Sequence, residues 1–215
     1  MTNMAVTISA PDERILHLQI KGISGLICHN FSEKARKEMR DKQQQKAKGP
    51  RGAKDSDVEY EAAFYRFEDG GFGFPCSAFR AAAIRAGKMV DGLSMVDLRQ
   101  MFFIQPDARD TTGIDCVQIH GTPEKREDVV RLKGGIADLR YRPEILDWSA
   151  TLTISYDAGL ISPEMIASLF YRAGYSVGVG DWRPEKNGDA GRFTIAEEVT
   201  SEVTDDEVNE LKAVA

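Results

Sequence analysis

One stretch constrains the fold more than any other. In WSATLTISY, Trp148, Ala150, Leu152, Ile154 and Tyr156 alternate strictly with Ser149, Thr151, Thr153 and Ser155. Side chains of a strand point to opposite faces at every step, so this pattern describes a strand with one face in a core and the other toward water. It calls for a sheet covered on one side. SPEMIASLFYRAG follows at 162–174, with Ser162 suited to an N-cap, Pro163 to the first helical position, Glu164 to the first turn and Gly174 to a stop.

The same reading extends along the chain. RILHLQIKG alternates Leu16, Leu18 and Ile20 against His17, Gln19 and Lys21, which predicts a half-buried strand over 14–22. SAFRAAAIRAGKMV predicts a helix over 77–90 with Ser77 as N-cap and Phe79, Ala83, Ile84 and Gly87 on one face. MFFIQ predicts a buried strand ending the segment 99–105, and 192–199 a last strand. Residues 64–67 and 72–75 read as a hairpin around Asp69-Gly70-Gly71, and 116–120 with 128–133 as a second hairpin. Stripped of insertions, the order is β-α-β-β-α-β. The expected fold is α+β and ferredoxin-like: an antiparallel sheet with helices on one face, plus a basic helix-loop insertion and small β-hairpins. One domain is expected over 1–199, with the insertion at 32–58 and an acidic C-terminal tail over 200–215.

Charge is distributed unevenly. The net charge of −6 argues against a generic nucleic-acid binder, yet Ser32–Lys54 carries nine Lys/Arg against three Asp/Glu. Ser32 is suited to cap a helix reaching about Lys46, and Gly49-Pro50-Arg51-Gly52 ends it, with 47–58 read as a mobile loop. Lys34, Arg36, Lys37, Arg40, Lys42, Lys46, Lys48, Arg51 and Lys54 are placed to lie along phosphates, or else form a solvated face balanced by Glu33, Glu38 and Asp41. Seven acids against one lysine over 196–215 make either a solubilising terminus or a surface for a protein partner.

YSVGVGDWRPEKNGDAGRF, residues 175–193, is the most ambiguous segment. Gly178, Gly180, Gly188 and Gly191 allow positive φ and close backbone approach. Arg183, Lys186 and Arg192 supply cations and Trp182 a stacking plane, which suits a sugar–phosphate backbone with one base stacked. The bland alternative is a long loop whose tryptophan packs on the core. No Gly-Lys-Ser/Thr precedes a helix and Gly178-x-Gly180 does not join a strand to a helix, so nucleotide-cofactor motifs are excluded. Arg140 and Arg142 flank Tyr141 and read either as phosphate contacts with stacking or as surface ion pairs with Glu144 and Asp147.

Catalytic and metal signatures are sparse. His29 follows the first strand beside Cys28, as a weak general-base candidate against the commoner structural histidine. Cys28, Cys76, Cys116, His17, His29 and His120 show no C-x-x-C or H-x-x-x-H spacing, so no metal and no cofactor is expected. No serine triad and no carboxylate pair is legible. Three widely spaced cysteines read as free thiols of a reducing compartment. No run of about 18 apolar residues is present, and MTNMAVTISAPDER has no basic region followed by an apolar one, so neither a membrane helix nor a secretory signal is expected.

ISGLICHNFSEKARKEMRDKQQQKA, YEAAFYRFEDGGFGFPCSAFRAAAI, EDVVRLKGGIADLRYRPEILDWSATLTISYD and ISPEMIASLFYRAGYSVGVGDWRPEKNGDAGRF are similar to portions of a widespread group of phage and prophage proteins, over most of residues 22–195. That likeness carries little function with it. The order of elements, with GVGDWRPEKNGDAGRF between the second helix and the last strand, resembles the repeat-associated RNA-binding (RAMP) superfamily. Its CRISPR effector backbone subunits assemble as filaments along RNA. The net charge of −6 departs from that pattern. The resemblance implies a non-catalytic, phage-type protein that binds single-stranded RNA or DNA, self-associates and works in a bacterial host cytoplasm. Two alternatives stand beside it: a metal-independent endoribonuclease with His29 as base, and an assembly protein whose basic segment docks an acidic partner without nucleic acid.

Overall fold

The computed structural model describes residues 10–30, 40–41, 43–44, 55–90, 92–131 and 137–202, the side chains of Arg131 and of 197–202 excepted. The architecture is mixed α/β, built on antiparallel sheets. In chain order it opens with β1 (Glu13–Gly22) and β2 (Leu26–Ile27). Helix α1 (Ser56–Ala62) leads to β3 (Tyr65–Arg66), β4 (Phe72–Pro75) and α2 (Cys76–Ala86). Helix α3 (Met95–Met101) precedes β5 (Phe102–Gln105), β6 (Ala108–Arg109), β7 (Asp115–Gln118) and β8 (His120–Arg131). The chain then runs through β9 (Ala137–Asp157), α4 (Pro163–Ser176) and β10 (Phe193–Glu202).

Strand β9 is the spine. Its C-terminal half pairs with β1 along one edge, Leu16 opposite Ile154, and with β5 along the other, Ile104 opposite Ile154. Strand β10 pairs with β1 on the far side, Ile20 opposite Ile195. The N-terminal half of β9 pairs with β8 in a long ladder, and β2 joins it at Ile145 and Glu144. A second sheet runs β3-β4-β7-β6.

The alternation in 148–156 builds the core. Trp148, Leu152 and Ile154 of β9, with Leu16, Leu18 and Ile20 of β1, are fully buried or nearly so. They meet Phe79, Ala83 and Ala86 of α2 and Ile166, Leu169, Phe170 and Ala173 of α4 in one cluster. Phe79 touches the rings of Trp148 and Phe193 with centroids 6.4 and 6.2 Å away, and Phe102 meets Phe170 at 6.2 Å. Each large side chain buried this way contributes about 1.5–3 kcal/mol relative to exposure. On the other face, His17 Nδ1 and Thr153 Oγ1 lie 3.3 Å apart across the ladder.

Several elements differ from expectation. Helix α2 starts at Cys76 behind Pro75, without a side-chain cap, so Ser77 lies inside it. Ser162 does cap α4, accepting from the Met165 amide. Gly174 does not stop α4, which continues to Ser176; a Cβ there would lie 2.0 Å from the Phe193 carbonyl oxygen, so the glycine admits β10 against the helix. Residues 95–101 are helical, capped by Ser94, and only 102–105 form the strand. The hairpin of β3 with β4 forms as expected, Tyr65 opposite Gly73. The second expected hairpin does not. Strand β7 joins β4 and β6, while β8 pairs with the polar run 137–149, whose charges and Pro143 hide its strand character. Residues 56–58 belong to α1, capped by Asp55, and not to a loop. Most of the basic segment, with Ser32, Lys34, Arg36, Lys37, Lys42, Lys46, Lys48, Arg51 and Lys54, lies outside the described residues, as does the tail beyond Glu202. Arg40 is helical and exposed.

Candidate nucleic-acid interface

The β8–β9 ladder sorts charged residues onto one face. Arg126 stands opposite Arg142 and Asp128 opposite Arg140, and with Glu144 they share a face because side chains repeat every second residue. Two arginines in register would repel, and Asp128 resolves this by bridging them. It accepts from Arg126 Nε at 2.9 Å and from Arg142 Nη2 at 2.7 Å. Arg126 also donates to Glu144 at 3.0 Å. Tyr141 lies on the opposite side of the strand, with the Lys125 ammonium 5.2 Å from its ring and Lys125 tied to Asp57 of α1. The expected grouping of Tyr141 with Arg140 and Arg142 is therefore corrected by the pleat itself.

Arg142, read from sequence as a phosphate contact, is buried at 4% exposure. It donates to Asp128 and to Asp181 and serves as an internal strut, its Nε without a partner among the described residues. Asp181 belongs to the glycine-rich loop and also meets His29 Nδ1 at 2.9 Å. Arg140 Nη1 lies 3.3 Å from His29 Nε2. A guanidinium only donates, so this contact is a hydrogen bond when Nε2 accepts. Burial opposes ionisation of Asp181, but the hydrogen bond and charge of His29 and the charge of Arg142 prevail and hold its carboxyl below the usual carboxylate range.

The loop is seated on the strands. The Asp181 amide donates to the Ile27 carbonyl at 3.1 Å, the Val179 amide to Gly191 at 3.0 Å, and the Gly191 amide to Gly25 at 2.8 Å. These contacts explain the glycines. Gly180 (φ +82) sits where a Cβ would lie 2.7 Å from the Ile27 carbonyl, and Gly191 (φ +66) where it would lie 1.7 Å from that of Val179. Gly178 likewise faces Pro184 and Arg183. The close approach that the glycines allow is thus to the protein's own backbone.

Trp182 is different. It is 51% exposed and held at φ +56, away from the core that the bland alternative assigned it. The Arg126 guanidinium lies 5.9 Å from its ring, joining loop and ladder. Arg183 donates to the Gly180 carbonyl at 3.0 Å and to Glu185. Lys186 ends the short 3-10 turn Pro184–Lys186 and is exposed. Arg192 lies over the Tyr175 ring at 5.3 Å and so does not join the Trp182 group. Below the loop is a cleft of about 190 Å³ lined by Ile27, His29, Tyr65, Phe74, Ala78, Ala81, Arg85, the loop backbone, Asp181 and Arg183.

The structure therefore gathers His29, Arg140, Arg142, Gly178, Gly180, Trp182, Arg183 and Lys186 in one region. It adds Arg85, Arg126, Asp128, Asp181 and Glu185, which sequence reasoning missed. Only Asp181 and Glu185 had a readable cue, their place in the loop. Arg85, Arg126, Arg142 and Arg183 are each paired with Asp128, Glu144, Asp181 or Glu185, so cations and acids alternate across the region. Among the described residues no helix is long and apolar enough to cross a membrane, and no group of three His, Cys, Asp or Glu is placed to hold a metal.

The fold has a counterpart among solved structures. A chain of the type III-B Cmr-beta complex bound to cognate target RNA matches 88% of this chain and 61% of its own, with TM-score 0.52 and 8% identity. The chain thus spans about three fifths of that structure's length. Cmr6 from Pyrococcus furiosus matches 88% of this chain and 100% of its own, with TM-score 0.40 and 9% identity, too distant to argue from. At 8% identity the first match shows a shared fold and no more. No family profile and no curated protein matches the sequence.

Proposed function

We propose that the chain binds single-stranded RNA, as a non-catalytic subunit of a larger ribonucleoprotein assembly in the bacterial cytoplasm. The order β10-β1-β9-β5, with α2 and α4 on one face, fits the ferredoxin-like core of a RAMP-type protein, elaborated by the β8–β9 ladder. The observation that carries the reading is Trp182: an aromatic plane exposed at 51%, fixed in a left-handed conformation, with the Arg126 guanidinium 5.9 Å from its ring and Arg183 next to it in the chain. A base stacks on any aromatic plane whatever its sequence, and the cations follow the backbone. The nine Lys/Arg of Ser32–Lys54 would add phosphate contacts of their own. A match in fold to a chain solved in an RNA-bound complex supports the reading.

Fluorescence tests it simply. The chain has two tryptophans, and Trp148 is fully buried. Titration with a single-stranded oligonucleotide at low salt should quench the Trp182 emission. An unchanged spectrum together with no retention of RNA or DNA would sink the reading.

The contact of His29 with Asp181 favours a second reading, in which His29 Nε2 acts as general base on an RNA 2′-hydroxyl. Arg140 would have to withdraw from Nε2 first. Labelled RNA left intact in chelator by both the natural chain and His29→Ala would end it.

A further inference from the structure

Two arginines share one carboxylate at the cleft below the loop. Arg85 lies in the last turn of α2, and Arg183 immediately precedes the 3-10 turn 184–186. Arg85 Nε meets Glu185 Oε1 at 3.0 Å, while Arg183 Nε and Nη2 meet Oε2 at 3.1 and 2.9 Å. Each carboxylate oxygen thus faces its own guanidinium. That is also how two arginines divide the non-bridging oxygens of a phosphodiester. Arg183 is fixed from behind by its bond to the Gly180 carbonyl, so its fork stays aimed whichever anion it holds.

The Glu185 side chain is replaceable, unlike the strut made by Arg142. Its backbone amide is held by the Val177 carbonyl at 3.2 Å, so the turn does not depend on the carboxylate. The side chains of Arg85, Arg183 and Glu185 keep 42%, 20% and 29% of their exposure, so an incoming anion can reach the pair. Both arginines line the cleft, and the exposed Trp182 ring adjoins Arg183 in sequence.

We propose that Arg85 and Arg183 form a phosphodiester site whose resident anion is Glu185, displaced when a nucleic-acid phosphate enters. The proposal rests on the nucleic-acid reading above and names one contact within it. It makes the site self-damped: a phosphate must outcompete a tethered carboxylate, so weak or stray anions are refused.

The test uses the full chain, a fluorescent single-stranded RNA oligonucleotide and anisotropy over a range of salt. Removing the competitor in Glu185→Gln should tighten binding about three- to tenfold, and Arg85→Ala should weaken it about tenfold. Losing one phosphate contact should also reduce the slope of log affinity against log salt by about 0.7 in Arg85→Ala. Melting temperatures identify misfolding, and Arg85→Gln replaces Arg85→Ala if the latter fails to fold. Binding by the natural chain with Glu185→Gln equal or weaker, and the Arg85 variant unchanged, overturns this inference alone. No binding by the natural chain overturns the nucleic-acid reading and this inference with it. If inorganic phosphate protects the chain from melting as strongly as RNA at equal phosphate concentration, the site serves a free anion and the proposal falls.

Discussion

His29 and Asp181 are 152 residues apart in the chain and meet at 2.9 Å between Nδ1 and Oδ2. The contact ties the segment after β2 to the glycine-rich loop. The same carboxylate takes Arg142 from β9, so three distant segments converge on one side chain.

That convergence has a pH signature. The Asp181 carboxyl ionises more readily in the folded protein than in an unfolded chain, where an aspartate titrates at about 3.9. Its contribution is therefore complete above that value and is lost as pH falls through the lower folded value. Asp181→Asn should cost about 1–2 kcal/mol at neutral pH, less than for a fully buried pair because the carboxylate is partly exposed. The variant should also show a flatter decline of stability with acid. Urea midpoints between about pH 3 and 7 measure both, and identical slopes would contradict the assignment.

Trp182→Ala should leave the melting temperature near its original value, since the ring is 51% exposed. It should weaken binding of single-stranded oligonucleotides about thirtyfold, the middle of the range for one stacked base. Trp182→Phe should recover most of the loss. Equal affinity for all three proteins would remove stacking from the account.

The thiols should be silent in the folded protein. Cys28, Cys76 and Cys116 are buried, and burial pushes Cys76 up to about 11 and Cys116 up to about 12, with Cys28 raised as well. A thiol reagent at mildly alkaline pH should label none of them quickly, since the thiolate is the reactive form. All three should react after denaturation. Rapid labelling of Cys76 or Cys116 in the native protein would show that the β4–β7 region opens.

Gly191→Ala and Gly92→Ala separate backbone conformation from crowding. Both glycines have positive φ, but a Cβ on Gly92 meets nothing within 4 Å, while one on Gly191 lands 1.7 Å from the Val179 carbonyl oxygen. Gly92→Ala should cost about 1–2 kcal/mol, and Gly191→Ala more than about 3 kcal/mol. Chemical denaturation gives both values. Equal costs would mean that the loop yields freely at Gly191.

What could be read in advance follows from what patterning reports. Apolar alternation in 14–22 and 148–156 marked β1 and the C-terminal half of β9, because both present one face to a core and one to water. Ser162 and Pro163 marked the start of α4 through local backbone chemistry. The β8–β9 ladder is hidden in the sequence because its period-two order lies in charges, Arg126 and Asp128 against Arg140 and Arg142, to which hydrophobic patterning is blind. Gly174 reads as a helix end because the need that explains it, room for Phe193, comes from another element.

Local chemistry therefore settled the main strands, the principal helices and the presence of a glycine-rich connection with one tryptophan and several cations. Packing settled what those residues do. Only folding shows that the glycines let the loop sit against β2, that Arg142 is a buried strut, and that Trp182 faces solvent. The reason is physical: burial and ion pairing depend on neighbours far along the chain, whereas strand alternation and helix caps depend on residues a few positions away.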